Sequence, residues 1–182
     1  MGFMTESLGV KCSFCHNTEN YSSDENAHKV EARMMLEMVQ YLNRDIFKEN
    51  RISCFTCHAG QEEPVQFPED FTALPSLTSE GKPRQLSADF KNVQRLQHLT
   101  GDEYDEVMSF FTASLGVRRC TYCHDRSDYS LDADPHKMAA REMITMVQGL
   151  NKKFFETEKI NCFTCHKAQE KPLVVPPKWK TE

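Results

Sequence analysis

Apolar residues recur at helical spacing in two stretches of this 182-residue chain. In each stretch they fall at i, i+3, i+4, i+7 and i+11, so each stretch predicts a helix with one apolar face. The positions are Met35, Met38, Val39, Leu42 and Ile46, then Met143, Met146, Val147, Leu150 and Phe154. Asp134 and Pro135 predict the start of the second helix, as its N-cap and its first-turn residue.

The rest of the pattern predicts a further helix and long loops. Thr100 and Glu103 form a capping-box pair, which predicts a helix from there to about Ser114. No segment alternates apolar and polar residues as a strand would. Residues 65–90 are rich in Pro, Ser and charge, so they predict an extended linker. The expected fold class is mainly α and loop-rich.

The second half of the chain repeats the first at an offset of 108 residues. The matching segments are YSSDENAHKVEARMMLEMVQYLN with YSLDADPHKMAAREMITMVQGLN, and ISCFTCHAGQEEP with INCFTCHKAQEKP. We therefore predict two repeated helical modules, residues 1–64 and 91–172, followed by an extended arm at 173–182. The residues that precede Met108 have no counterpart before Met1, so the chain is expected to begin inside its first helix.

Composition limits both the core and the partners. Only 39% of the residues are apolar and the mean hydropathy is -0.61, so side chains alone give little core to offset chain entropy. The net charge of -5 disfavours nucleic acid and favours a protein partner that is basic at the contact. No apolar run approaches the length of a transmembrane helix.

The motif Cys-x-x-Cys-His occurs four times and uses every cysteine of the chain. In this motif the two thiols bond to the vinyl groups of a haem and the histidine binds its iron. Structural zinc would not need a histidine after the second cysteine, and four disulfides within CxxC would describe redox enzymes. Four covalently attached haem c groups are therefore predicted, on Cys12, Cys15, His16; Cys54, Cys57, His58; Cys120, Cys123, His124; and Cys162, Cys165, His166.

The opposite face of each iron needs a second ligand if the protein is to carry electrons. Three histidines remain, His28, His98 and His136, and three cannot serve four irons; His98 is expected at the surface. Methionine is the better supply, because it recurs at equivalent positions before each motif. The candidates are Met1 and Met108 before the first motif of each module, and Met35 or Met38 and Met143 or Met146 before the second. Spacing alone does not choose within these last pairs.

The motifs M-x-x-x-T-x-S-L-G-V, A-R-x-M-x-x-M and C-F-T-C-H resemble the tetrahaem cytochrome subunit of photosynthetic reaction centres and its non-photosynthetic relatives. The resemblance implies that haems lie against helices whose methionines are the sixth ligands. Carried over by motif, these are Met35 and Met143 from A-R-x-M, and Met1 and Met108. Family members ligate one haem with a histidine before the second motif, and residues 43–53 and 151–161 contain none. All four haems are thus expected to be His/Met, which favours high potentials.

The expected function is electron transfer along a chain of haems between redox partners, without enzymatic activity. Arg33 and Arg141 are candidates to neutralise haem propionates. Haem is attached outside the cytoplasmic membrane, so a periplasmic or extracellular location is expected, although the chain does not open with a signal peptide. The alternatives are self-association into a conductive filament and, less favoured, a multihaem redox enzyme with an open iron.

Overall fold

The computed structural model describes residues 1–49, 51–65, 91–155 and 159–176. Within these ranges the regular structure is helical and no strand occurs, which confirms the mainly α, loop-rich prediction. The helices are α1 (Gly2–Leu8), α2 (Cys12–Cys15), α3 (Ala27–Asp45), α4 (Cys54–His58), α5 (Gly101–Leu115), α6 (Pro135–Lys153) and α7 (Cys162–His166), with a 3₁₀ turn at Cys120–Tyr122.

The described residues fall into two compact units. The first contains residues 1–65 together with 172–176, and the second contains residues 91–171. Residues 172–176, from the end of the second predicted module and the start of the predicted arm, thus belong to the first unit, where Val174 accepts a hydrogen bond from Ser53. The predicted linker beyond residue 65 and the arm beyond residue 176 lie outside the described residues. The proposed module bounds remain a prediction.

In the first unit the apolar stripe of α3 turns partly inward. Met38 and Leu42 are buried, at 5% and 3% exposure, while Met35, Val39 and Ile46 are half-buried. The N-cap Asn26 accepts a hydrogen bond from the backbone of His28 and donates one to the carbonyl of Phe14. This second bond ties the start of α3 to the first CxxCH motif.

The second unit contains a small hydrophobic core formed by α5, the loop that precedes it and one residue of α6. Its buried members are Leu96, Leu99, Tyr104, Val107, Phe110 and Ile144. On α6 the predicted stripe is confirmed at Val147 and Leu150, which are buried, and Met143, Met146 and Phe154 are half-buried.

Both predicted helix starts in this unit are confirmed. The Glu103 carboxylate accepts from the backbone N–H of Thr100 at 2.6 Å, and α5 ends at Leu115, one residue beyond the predicted end. Asp134 accepts from the backbone N–H of His136 at 2.8 Å, with Pro135 in the first turn of α6. In the described part of the chain, no helix has the length and apolar content needed to cross a membrane.

Candidate haem-attachment sites

The second motif of each unit forms a short, well-capped helix. Ser53 caps α4 and Asn161 caps α7, and in each helix the threonine at the third position accepts a hydrogen bond from the backbone N–H of the cap residue. These threonines, Thr56 and Thr164, are buried at 2% and 0% exposure. The capping box satisfies backbone donors that a five-residue helix cannot satisfy itself, so it holds the two cysteines and the histidine on one turn.

Each of these helices is held against the end of the helix that opens its unit. The N–H of Gly60 donates to the carbonyl of Ser7 at 2.8 Å, and the N–H of Ala168 donates to the carbonyl of Ser114 at 2.9 Å. Both serines are fully buried, and their hydroxyls have no hydrogen-bond partner in the structure. The small serine side chain therefore allows the two backbones to approach closely, and its hydroxyl does not contribute a hydrogen bond there.

Asparagine fixes the segment before the second motif in both units. Asn151 donates to the carbonyl of Ile160 and accepts from its N–H, each at 2.9 Å, and Asn43 makes the same pair of bonds to Ile52 at 2.9 and 2.8 Å. Asn151 is buried and Asn43 is half-buried. These bonds join the long helix of each unit to the residues that precede Cys54 and Cys162.

All four motif histidines present Nδ1 to a backbone carbonyl. His16 and His124 contact the carbonyls of Tyr21 and Tyr129, at 3.2 and 3.0 Å. His58 contacts two carbonyls, of Gln61 at 3.2 Å and Glu62 at 2.8 Å, and His166 likewise contacts those of Gln169 at 3.0 Å and Glu170 at 3.1 Å. A carbonyl can only accept, so the neutral ring carries its proton on Nδ1 and Nε2 is unprotonated.

This arrangement fits the ligand chemistry of a haem iron. A histidine that binds metal usually donates its other ring N–H to a carbonyl or carboxylate, which fixes the tautomer and the ring orientation. Here the same bond recurs in all four motifs. At His166, burial also lowers the pKa of the imidazole, which favours the neutral, metal-binding form. The residues present therefore fit a covalently attached haem with an axial histidine.

The eight cysteines are available for the thioether bonds that the four motifs predict. All eight are free thiols in the structure, with no disulfide among them. Burial raises the pKa of the Cys54 and Cys123 thiols, and that of Cys162 to about 12. Among the described residues, no group of three or more His, Cys, Asp or Glu side chains is placed to hold a zinc ion.

The candidate methionines differ in exposure. Met38 is buried against protein at 5% exposure, whereas Met35 on the same helix is half-buried. Met143 and Met146 are both half-buried, so burial does not separate them. Met108 is half-buried against the core of the second unit, and Met1, its equivalent in the repeat, is the N-cap of α1 with 70% exposure.

The remaining histidines and arginines have protein partners. His28 stacks on Phe14 with ring centroids 4.0 Å apart, and His136 lies 4.2 Å from the ring of Tyr122. His98, expected at the surface, is half-buried. The two arginines considered for propionates form ion pairs, Arg33 with Asp24 at 2.8 Å and Arg141 with Asp132 at 2.9 Å; their role toward propionates stays a prediction.

Sequence reasoning missed the residues that surround the motif histidines. The carbonyl acceptors are backbone atoms, so no side-chain pattern reveals them. Two lysines were also missed: Lys29 and Lys137, whose ammonium groups contact the carbonyls of Tyr21 and Tyr129 at 2.9 and 3.0 Å. Their recurrence at the repeat offset was the signal that could have identified them.

Known proteins match most of the chain. The family model described as photosynthetic reaction centre cytochrome C subunit matches residues 1–73 and 67–181. Among individual proteins, the chain is similar to the photosynthetic reaction center cytochrome c subunit of Thermochromatium tepidum, at 25% identity over 214 aligned residues. That alignment covers 89% of this chain and 52% of the relative.

Two further relatives are more similar over shorter stretches. The photosynthetic reaction center cytochrome c subunit of Roseobacter denitrificans is 32% identical over 115 residues, 57% of this chain and 30% of the relative. Cytochrome c-554 of Chloroflexus aurantiacus is 37% identical over 62 residues, 31% of this chain and 15% of the relative. The chain thus spans about half the length, or less, of these curated relatives.

Proposed function

The chain belongs to the family of photosynthetic reaction centre cytochrome c subunits, and on that basis we propose that it is a tetrahaem c-type cytochrome that passes electrons between extracytoplasmic redox partners. The observation that carries the proposal is the Nδ1-to-carbonyl bond made by the histidine of every CxxCH motif. A haem held there would supply an iron that cycles between two oxidation states.

Each part of the chain has a distinct task in this proposal. The cysteine pairs fix each haem covalently, and the carbonyl bond keeps each motif histidine in the tautomer that binds iron through Nε2. Methionines Met1, Met35, Met108 and Met143 are proposed as the sixth ligands. Of these, Met35 is supported by its partial exposure, because the alternative Met38 is already packed in protein. Full coordination leaves no open iron, which favours a carrier over an enzyme.

Location and partners follow from the same chemistry. Because haem is attached outside the cytoplasmic membrane, we propose a periplasmic or extracellular location. The chain carries a net charge of -5, to which propionates would add, so its redox partners are proposed to be basic where they touch it. Cross-linking and binding measured at increasing salt would test this, since a charge-steered contact weakens as ionic strength rises.

The haem number and ligands can be tested on the mature, haem-loaded protein. Pyridine haemochrome analysis should give four haems per chain, and the double variant Cys12→Ala/Cys15→Ala should lose one. In the ferric spectrum, Met35→Leu should remove one quarter of the Met–iron charge-transfer band. Its matched control, Met38→Leu, should keep the whole band and lose only thermal stability, because it changes a buried core residue.

Four results would contradict parts of the proposal. Fewer than four haems in the wild-type protein would contradict the tetrahaem assignment. An intact charge-transfer band in Met35→Leu, with loss in Met38→Leu, would place the ligand one turn along α3. A persistent high-spin fraction in the wild type would show an open iron and favour the enzyme alternative, and filaments in electron micrographs would favour the polymer.

A further inference from the structure

We propose that Lys29 and Lys137 are positioning residues that raise the reduction potentials of the haems on the first CxxCH motif of each unit. The proposal rests on the proposed function, because it requires haem at these motifs. The four motif histidines then fall into two classes. In one class the carbonyl that accepts from the histidine also accepts from a lysine, and in the other class it does not.

The first class is defined by a shared carbonyl. Tyr21 O accepts from His16 Nδ1 at 3.2 Å and from Lys29 Nζ at 2.9 Å. Tyr129 O accepts in the same way from His124 Nδ1 at 3.0 Å and from Lys137 Nζ at 3.0 Å. One oxygen therefore joins the motif histidine to a lysine in each unit.

Both lysine side chains are mostly buried and are held in place by several partners. Their side chains are only 12% and 11% exposed, which is unusual for a residue whose charge favours water. Lys29 also donates to the carbonyl of Ser23 and pairs with Asp24, at 2.8 and 3.0 Å. Lys137 also donates to Ser130 and Leu131 and pairs with Asp132; these distances are 3.0, 2.7 and 3.2 Å. Several partners thus fix each ammonium where a surface lysine would otherwise move.

The second class has a different surrounding. His58 and His166 each meet two carbonyls instead of one, those of residues 61 and 62 and of residues 169 and 170. In the described ranges, none of these four carbonyls accepts a hydrogen bond from a lysine. The two classes therefore differ in both the number of acceptors and the charge placed on them.

The consequence follows from the strength of the bond to Nδ1–H. An ammonium on a carbonyl draws electron density from its oxygen, so that oxygen accepts less strongly from imidazole. A weaker acceptor gives the ring less imidazolate character and makes it a poorer donor to iron, and hydrogen bonds of this kind are known levers on haem potential. Weaker electron donation from the imidazole to the iron stabilises the reduced iron and so raises the reduction potential. The positive charge itself acts in the same direction.

The test is spectroelectrochemistry of the haem-loaded protein with Lys29→Met and, separately, Lys137→Met. Each variant should lower the equilibrium constant for one-electron reduction of one haem about tenfold, which corresponds to a fall of about 59 mV in its reduction potential. NMR of the reduced protein with ¹⁵N-labelled histidine should show the Nδ1–H resonance of His16 or of His124 shift in the matching variant, and those of His58 and His166 stay. Lys29→Arg, which restores a cation donor, should recover most of the potential.

A charge-neutral variant separates the carbonyl contact from simple field effects. Asp24→Asn/Lys29→Met keeps the net charge and loses the contact, so its potential should still fall. If it returns to the wild-type value, the lysine acts only through space and the positioning role is wrong. Four bound haems with unmoved potentials in both lysine variants would also overturn the proposal, whereas a wild type without four haems would overturn the proposed function instead. If Lys29→Met loads haem poorly, Lys29→Gln, a neutral donor, should give an intermediate fall.

Discussion

Gly116 offers the sharpest test of how the helices are held at the second motif. It ends α5 with φ of +66°, in the left-handed region, and a Cβ placed there would lie 2.1 Å from the carbonyl oxygen of Ala168. Ordinary van der Waals contact begins at 3.4 Å, so the substitution Gly116→Ala would require the backbone after His166 to move by more than 1 Å. The same contact carries the hydrogen bond from Ala168 to Ser114.

Two contributions set the size of the effect. A left-handed conformation costs a residue with a Cβ about 1–2 kcal/mol. Forcing additional atoms into a packed contact costs about 1–3 kcal/mol more. We therefore expect Gly116→Ala to reduce the free energy of unfolding by roughly 2–5 kcal/mol. Gly149→Ala is the matched control. Gly149 lies inside α6, and a Cβ added there would have no atom within 4 Å, so the alanine should raise the free energy of unfolding by about 0.5–1 kcal/mol.

The assay is the apparent melting temperature of the haem-loaded protein, followed by circular dichroism. A chain of this size shifts by about 2–4 °C per kcal/mol, so Gly116→Ala should melt at least about 4 °C lower and Gly149→Ala slightly higher. Gly9→Ala should repeat the loss in the first unit, because its Cβ would meet the carbonyl oxygen of Gly60 at 2.2 Å. Equal melting temperatures for Gly116→Ala and the wild type would refute the close contact.

Two further predictions concern polar side chains. Asn151→Ala should destabilise the protein by about 2–4 kcal/mol in thermal melts, because it leaves a buried backbone donor and a buried backbone acceptor without partners. The same substitution at half-buried Asn43 should reduce the free energy of unfolding by less. Equal losses in the two variants would contradict the role of burial. Hydrogen bonds from Arg33 to Asp24 and from Arg141 to Asp132, with smaller contributions from the lysines, lower the pKa of both carboxyls below 3.8. The stabilisation that these carboxylates give is therefore present above about pH 4 and is lost as pH falls toward the folded-state pKa. The deficit of Asp132→Asn against the wild type, measured by acid titration of ellipticity, should therefore shrink below pH 4, and a constant deficit would refute the linkage.

Local rules predicted the features of this fold that depend on neighbouring residues. The capping pair Thr100 and Glu103 and the N-cap Asp134 were confirmed because such contacts span only a few residues. The apolar stripe on α6 was confirmed because helical period alone sets which side chains share a face. The close approach of Gly116 to Ala168 could not be predicted, since residues 52 positions apart carry no local signal.

The methionines show where spacing stops being informative. Met35 and Met38 lie one turn apart on the same face, so helical period treats them alike. Burial separates them, since Met38 is 5% exposed and Met35 is half-buried, and helical period does not predict that difference. In the second unit Met143 and Met146 are both half-buried, and there the choice still depends on the resemblance of A-R-x-M.

The repeat gives the proposed haem chain an internal comparison that a single module would lack. If the lysine on the histidine's carbonyl sets potential, haems should resemble each other by motif position: His16 with His124, and His58 with His166. The arginine that pairs with the neighbouring aspartate differs between the units, since the side chain of Arg141 is 12% exposed and that of Arg33 is 53% exposed. The lysine-to-carbonyl contact is the same in both units. Similar potentials at His16 and His124 would therefore point to the shared contact, and a difference between them would measure what the arginines and their surroundings add.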